Sequence, residues 1–182
     1  IIGLDISTSI VGITVLSNSG AHIESCAVIL PNSELSERAQ FLHSRLEEII
    51  SRYDVDHVWI EEPFQRFAKG GSTAATMMRL ATFNGMCQYM VYQMTGIVPG
   101  LINANAARKL VGLKIKREKI CGISTKEQVL SWAKTQLANY SWPQKTLKSG
   151  PRKGLTIDCP SCYDIADSFV VAKSGFIKSN ST

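Results

Sequence analysis

What this 182-residue chain lacks narrows its chemistry before any motif is read. It has no apolar run near the roughly 20 residues that a membrane helix needs, so no membrane partner is expected. No basic start leads into an apolar signal segment. Histidine is scarce: His22, His43 and His57 are isolated from one another, and each reads as a structural or surface residue. There is no H-E-x-x-H pair, no G-x-S-x-G elbow and no G-x-x-x-x-G-K-[ST] loop. The stretch "KGGST" at 69–73 offers only glycines and hydroxyls. Zinc-protease, serine-hydrolase and P-loop chemistry are therefore disfavoured.

Cysteines number five: Cys26, Cys87, Cys121, Cys159 and Cys162. An odd count without a regular framework argues against a disulfide scaffold and predicts a reducing, intracellular, cytoplasmic setting. The chain begins at Ile1 rather than Met, which leaves an organellar location open. Cys159-Pro-Ser-Cys162 has the spacing of a redox pair or of half a zinc site. With no second such pair and no histidine nearby in sequence, buried or incidental thiols are the more frequent outcome.

The hydrophobic share of 45% is enough for one substantial core, so residues 1–182 are expected to form a single α/β domain. Strands are predicted at 1–6, 10–17 and 22–30, with "NSG" at 18–20 as a hairpin turn. Leu35, Ala39, Leu42, Leu46, Ile49 and Ile50 then recur at helical spacing over 33–52. "HVWIEE" at 57–62 reads as a strand stopped by Pro63, and a helix between two strands suggests a parallel pair. A long helix is expected from about 73 to 95 with Met77, Leu80, Ala81, Asn84, Cys87, Val91 and Met94 on one side. A short strand at 97–102 and helices at 103–112, 124–137 and 161–175 complete the order, with Ser124 and Glu127 fitting a capping box. Residues 140–160, rich in proline, glycine and lysine, read as a loop insertion. The sum is a mixed sheet with helices on its faces.

Formal net charge is +5, a moderate lean toward a polyanionic partner. The cations cluster at Arg108, Lys109, Lys114, Lys116, Arg117 and Lys119, and again at Lys145, Lys148, Arg152 and Lys153. Either cluster alone reads equally well as a solvated face.

Four acids occupy positions where chemistry could use them. Asp5 sits in the first strand, where aspartate is disfavoured, and Glu61 ends the fourth. Asp164 and Asp167 share one face of the last helix, being three residues apart. Brought together, four carboxylates could hold two Mg²⁺ ions about 4 Å apart. One ion would activate a water and the other would stabilise the leaving oxygen of a phosphodiester. Plainer readings stand beside this one: Ser161 and Asp164 could be a capping box, and Glu62 could replace Glu61.

The same residues carry a resemblance. "IIGLDIS" around Asp5, "VWIEEPF" with Glu61 and "YDIADSFVVA" with Asp164 and Asp167 resemble, in that order, the acidic motifs of the RuvC family of Holliday-junction resolvases within the ribonuclease-H-like superfamily. "ATFNGMCQYMV" is similar to the long helix after the family's glutamate, and "GISTKEQV" to a segment whose lysine, here Lys126, faces DNA. The resemblance implies a ribonuclease-H-like mixed five-stranded sheet with helices on both faces. It implies a Mg²⁺-dependent endonuclease, with Mn²⁺ able to substitute and two ions per site held by Asp5, Glu61, Asp164 and Asp167. It further implies a homodimer that nicks four-way junction DNA symmetrically, leaving 5′-phosphate and 3′-hydroxyl ends. The helix at 73–95 is the candidate dimer face. Phe64, Lys69, Lys114, Lys116, Arg117, Lys119 and Lys126 become candidate DNA contacts. Two departures stand out: Ile6 and Ser7 replace the proline and glycine frequent after the first aspartate, and 140–160 is long, as in phage-like or organellar branches. The competing readings are a nuclease of flaps, forks or RNA–DNA hybrids, a junction-binding protein without turnover, and a sugar-kinase or actin-like ATPase, for which the chain is short.

Overall fold

In the computed structural model, which describes residues 1–63 and 73–181, the first three predicted strands form as β1 (Ile2–Ile6), β2 (Ile10–Leu16) and β3 (His22–Ile29). They pair antiparallel. The β1–β2 turn uses Ser7 in place of a proline–glycine step. Its hydroxyl accepts the backbone N–H of Ile10 at 3.0 Å and donates to the Ile10 carbonyl at 2.7 Å. Helix α1 (Leu35–Ile50) crosses to β4 (Val58–Glu61), which lies parallel to β1 as expected from a crossover connection. Helix α2 (Ala74–Thr95) is capped by the Thr73 hydroxyl and ended by Gly96 at φ +69°. It leads to β5 (Gly100–Ile102), parallel to β4. The strand order is β3-β2-β1-β4-β5, the expected mixed five-stranded sheet.

The second half is largely helical: α3 (Ala104–Leu110), α4 (Glu118–Cys121), α5 (Thr125–Gln136) and α6 (Cys162–Ser179). The Ser124–Glu127 capping box forms on α5. Three expectations change. A one-turn helix, α4, forms inside the basic segment, too short to leave a periodic signal. The presumed loop at 140–160 contains an antiparallel hairpin, β6 (Gln144–Thr146) and β7 (Thr156–Asp158). On α2, Ala81 is exposed, and the buried side runs through Phe83, Asn84, Cys87, Met90 and Val91.

Alternation along the strands splits the core in two. Ile2, Leu4, Ile6, Val11, Ile13, Val15, Val58 and Ile60 point toward α1 and α2. The intervening residues face α6, which packs with α3 and α5 on the other side. There two glycines of the strands leave room for the helix. A Cβ at Gly3 would lie 2.3 Å from the backbone nitrogen of Ala172, and one at Gly12 would lie 2.0 Å from the carbonyl oxygen of Asp164. Helix α6 therefore rests on the sheet at backbone distance. Buried hydroxyls tie down the same contact, with Thr14 Oγ1 at 2.9 Å from Ser168 Oγ and 2.8 Å from Ser25 Oγ. At the other end of α6, Gly100 and Gly175 leave the slot that the Trp59 ring fills.

Gly12→Ala should displace α6, because the new methyl meets rigid backbone rather than a flexible side chain. Overpacking of this kind destabilises by about 1–3 kcal/mol. Thermal unfolding followed by circular dichroism should show a melting temperature lower by several degrees, with Gly85→Ala, where a Cβ meets nothing within 4 Å, as the tolerated control. Equal melting temperatures for the two variants would overturn the close-packing account.

Candidate active site

Strand alternation aims Asp5 and Glu61 at the α6 side, opposite to Leu4 and Ile60 in the other core. The parallel ladder pairs Gly3 with Trp59 and Leu4 with Ile60, so the next step sets Asp5 beside Glu61. Across the other ladder Asp5 pairs with Gly12, the glycine under the Asp164 backbone. The three elements thus deliver Asp5, Glu61, Asp164 and Asp167 to one edge of the sheet. Glu61, not Glu62, is the glutamate whose charge acts on Asp5. Ser161 does not cap α6: its backbone is already helical and its hydroxyl makes no cap bond. The capping-box reading of Ser161 and Asp164 is therefore set aside. Asp164 is free to face the other acids.

Electrostatics record the convergence. Burial pushes the Asp5 carboxyl well above the ordinary carboxylate range, and the charges of Glu61, Asp167 and Asp164 push it further. Glu61 is raised to about 7, first by burial and then by Asp167. Asp167 and Asp164 are also raised, again chiefly by burial. The cation common to all four is Lys126, whose charge favours each ionised acid. It extends from the first turn of α5.

Arg108 on α3 is the second balancing charge, and sequence reading did not place it at the site. Its Nη2 donates to Asp167 Oδ1 at 3.4 Å, with both side chains mostly buried at 18% and 14% exposure. Its Nε is buried without a hydrogen-bond partner. In the sequence it was one arginine in a basic run, with nothing to separate it from Lys109. Asn84 was also missed. Its amide donates to the Glu61 carbonyl at 3.0 Å and is itself held by Gln88 at 2.7 Å. The available signal was a polar residue inside the apolar stripe of α2.

Lys114, Lys116, Arg117 and Lys119 are exposed on the segment preceding α5. Gln128 clamps this segment: its amide accepts from Lys116 N at 2.9 Å and donates to the carbonyls of Lys116 and Ile123, both at 2.9 Å. Phe64 and Lys69 lie outside the described residues.

The acids suit a divalent ion by chemistry, being hard oxygen donors in mutual repulsion and partly withdrawn from water. They do not form a closed cage. Among the described residues no group of three His, Cys, Asp or Glu side chains is gathered to hold an ion, either here or around Cys159 and Cys162. In this arrangement Arg108 and Lys126 supply the positive charge.

The family model for crossover junction endodeoxyribonuclease RuvC matches residues 1–140, a stretch that includes Asp5, Glu61, Arg108 and Lys126 and stops before Asp164 and Asp167. Two solved structures are similar over almost the whole chain. A Thermus thermophilus RuvC in complex with Holliday junction substrate is 17% identical at a TM-score of 0.65, covering 99% of this chain and 94% of that one. A second Thermus thermophilus RuvC structure is 19% identical at a TM-score of 0.61, covering 99% and 95%. At these identities the structural likeness speaks to the fold, which is the expected ribonuclease-H-like one. No curated protein matches the chain.

The raised carboxyls set a pH dependence. Asp5 and Glu61 hold protons more tightly folded than unfolded, and for Glu61 the folded state binds more protons than the unfolded state between the ordinary carboxylate range and about 7. Their stabilising contribution is complete at low pH and is lost through that window. In chelator, the wild-type chain should be more stable at pH 5 than at pH 8 by on the order of 1–3 kcal/mol, read as a higher melting temperature. Glu61→Gln should flatten the difference. A profile identical in wild type and variant would assign the pH dependence elsewhere.

Proposed function

Because the chain belongs to the RuvC family of crossover junction endodeoxyribonucleases, we propose that it resolves four-way DNA junctions by Mg²⁺-dependent phosphodiester hydrolysis at Asp5, Glu61, Asp164 and Asp167. The observation that carries this reading is geometric: the ladder sets Asp5 of β1 beside Glu61 of β4, and α6 rests on Gly12 opposite Asp5, so that the charges of Glu61, Asp167 and Asp164 all act on Asp5. Nucleases of the family use divalent metal ions. Held by these acids, two Mg²⁺ ions would activate the attacking water and offset charge on the phosphate.

The chain's own groups do the remaining work. Four carboxylates alone would repel a DNA phosphate, and Lys126 and Arg108 reduce that repulsion at the site's rim. Asn84 fixes the backbone of Glu61, so the last residue of β4 is positioned before substrate arrives. The exposed cations at 114–119 lie on a segment pinned by Gln128, where they can follow the sugar–phosphate backbone without reading base sequence.

Paired nicks require two such sites, and the proposed assembly is a homodimer formed through α2. Its outer face exposes Met78 at 71%, Tyr89 at 65% and Tyr92 at 46%, an unusual concentration of large apolar surface on one helix.

On a mobile four-way junction, strand-resolved gels should show paired nicks with Mg²⁺ or Mn²⁺. Asp5→Asn, Glu61→Gln and Asp164→Asn should each slow cutting by at least about 100-fold while junction binding persists. Normal rates in all three would remove the site assignment, and faster cutting of a flap or an RNA–DNA hybrid would change the substrate. Tyr89→Arg combined with Met78→Glu should shift the sedimentation coefficient from dimer to monomer and uncouple the two nicks.

A further inference from the structure

The second basic cluster has no role in the site described above, and its setting is specific. Lys145, Lys148, Arg152 and Lys153 all lie on the β6–β7 hairpin, within a stretch from 144 to 157 that contains no acid. All four are exposed, and among the described residues none makes an ion pair. The tip is ordered by its own hydrogen bonds. Leu147 N donates to Leu155 O and Gly154 N donates to Leu147 O, both at 2.9 Å, while Lys153 N donates to Gly150 O at 3.1 Å. Gly150 and Gly154 supply the left-handed turns at φ +79° and +89°. The three tip cations are therefore displayed on a shaped loop.

The base of the hairpin is fastened to the catalytic helix. Pro143 O accepts both the Cys159 N–H at 2.9 Å and the Cys162 thiol at 3.2 Å. Lys134 of α5 pairs with Asp158 at the end of β7. Trp142 and Cys159 pack into the core beneath α5 and α6. The backbone N–H of Cys159 and the thiol of Cys162 thus clasp the hairpin just before Asp164. A two-stranded hairpin with exposed strands buries too little to hold itself in place. The clasp supplies the orientation, and among the described residues the hairpin's cations have no acidic partner.

We propose that the β6–β7 hairpin is a wing that binds the sugar–phosphate backbone of a duplex DNA arm flanking the cleavage site. The occupant is argued from charge: four cations, none in an ion pair among the described residues, sit on one projection with no acid between 144 and 157, and Leu155 is its one exposed large apolar side chain. The wing acts on where the arm lies relative to α6, and the hydrolytic chemistry belongs to the acids. The identity of the DNA as a junction rests on the function proposed above, but the wing's affinity for a duplex arm does not.

The test is the triple variant Lys148→Gln, Arg152→Gln, Lys153→Gln in the full chain, with Lys148→Glu as a milder second variant. Binding to a four-way junction and to a plain duplex is measured in chelator across a salt series, and single-turnover cleavage is measured at saturating DNA. Loss of three phosphate contacts should make the slope of log K against log salt shallower by roughly two to three units and weaken binding at least tenfold at low salt. The saturating cleavage rate and the melting temperature should stay within experimental scatter of wild type. Unchanged affinity and salt slope in both variants would overturn the wing. A lower saturating rate with unchanged affinity would also overturn it, by moving the role to catalysis. If wild type binds duplex with the expected hairpin-dependent slope yet cuts no junction, the wing stands and the proposed activity fails.

Discussion

The architecture turns on how closely α6 approaches the sheet. A helix normally packs about 10 Å from a sheet because side chains from both surfaces intervene. Here Gly3 and Gly12 remove the sheet's contribution, and the backbone of α6 settles where their Cβ atoms would have been. That contact brings Asp164 over β2 and Asp167 within electrostatic reach of Asp5 and Glu61. The hydroxyl bridge from Thr14 to Ser168 fixes the register of the helix along the strands. Two absent side chains thus set the spacing among four present ones.

Bringing four acids together is unfavourable, and the fold counters it with cations from elements that appear late in the chain. Lys126 projects from α5, whose start is secured by the Ser124–Glu127 capping box. Arg108 projects from α3 with an incomplete set of partners. Buried charge of this kind destabilises the chain relative to an apolar core and is retained for what it can bind. The same balance makes the carboxylate cluster compatible with a polyanionic substrate: Lys126 and Arg108 offset its charge, and the chain as a whole carries a formal net charge of +5.

Much of the fold was legible in the sequence because its physical causes are local. The stripe Leu35, Ala39, Leu42 and Leu46 shows only a helix, and the parallel pairing of β1 with β4 follows from the helix between them. Asp5 stood out as well, since an aspartate inside a strand breaks the local pattern. The choice between Glu61 and Glu62 was not legible, because it depends on which residue of β4 shares a face with Asp5. Ser161 misled in the same way: S-x-x-D has the form of a cap, but its backbone enters the helix one residue early.

What the sequence by itself determined were the strands of the main sheet and the longer helices, their order, and the residue types able to carry phosphodiester chemistry. Periodicity and residue chemistry act between near neighbours and survive without knowledge of the fold. Tertiary structure decided which groups meet: Arg108 with Asp167, Lys126 with all four acids, and the Cys162 thiol with the Pro143 carbonyl. Those pairings join residues tens of positions apart. Their proximity exists only once the glycine-lined sheet has let the last helix down onto it, and no local pattern records that distance.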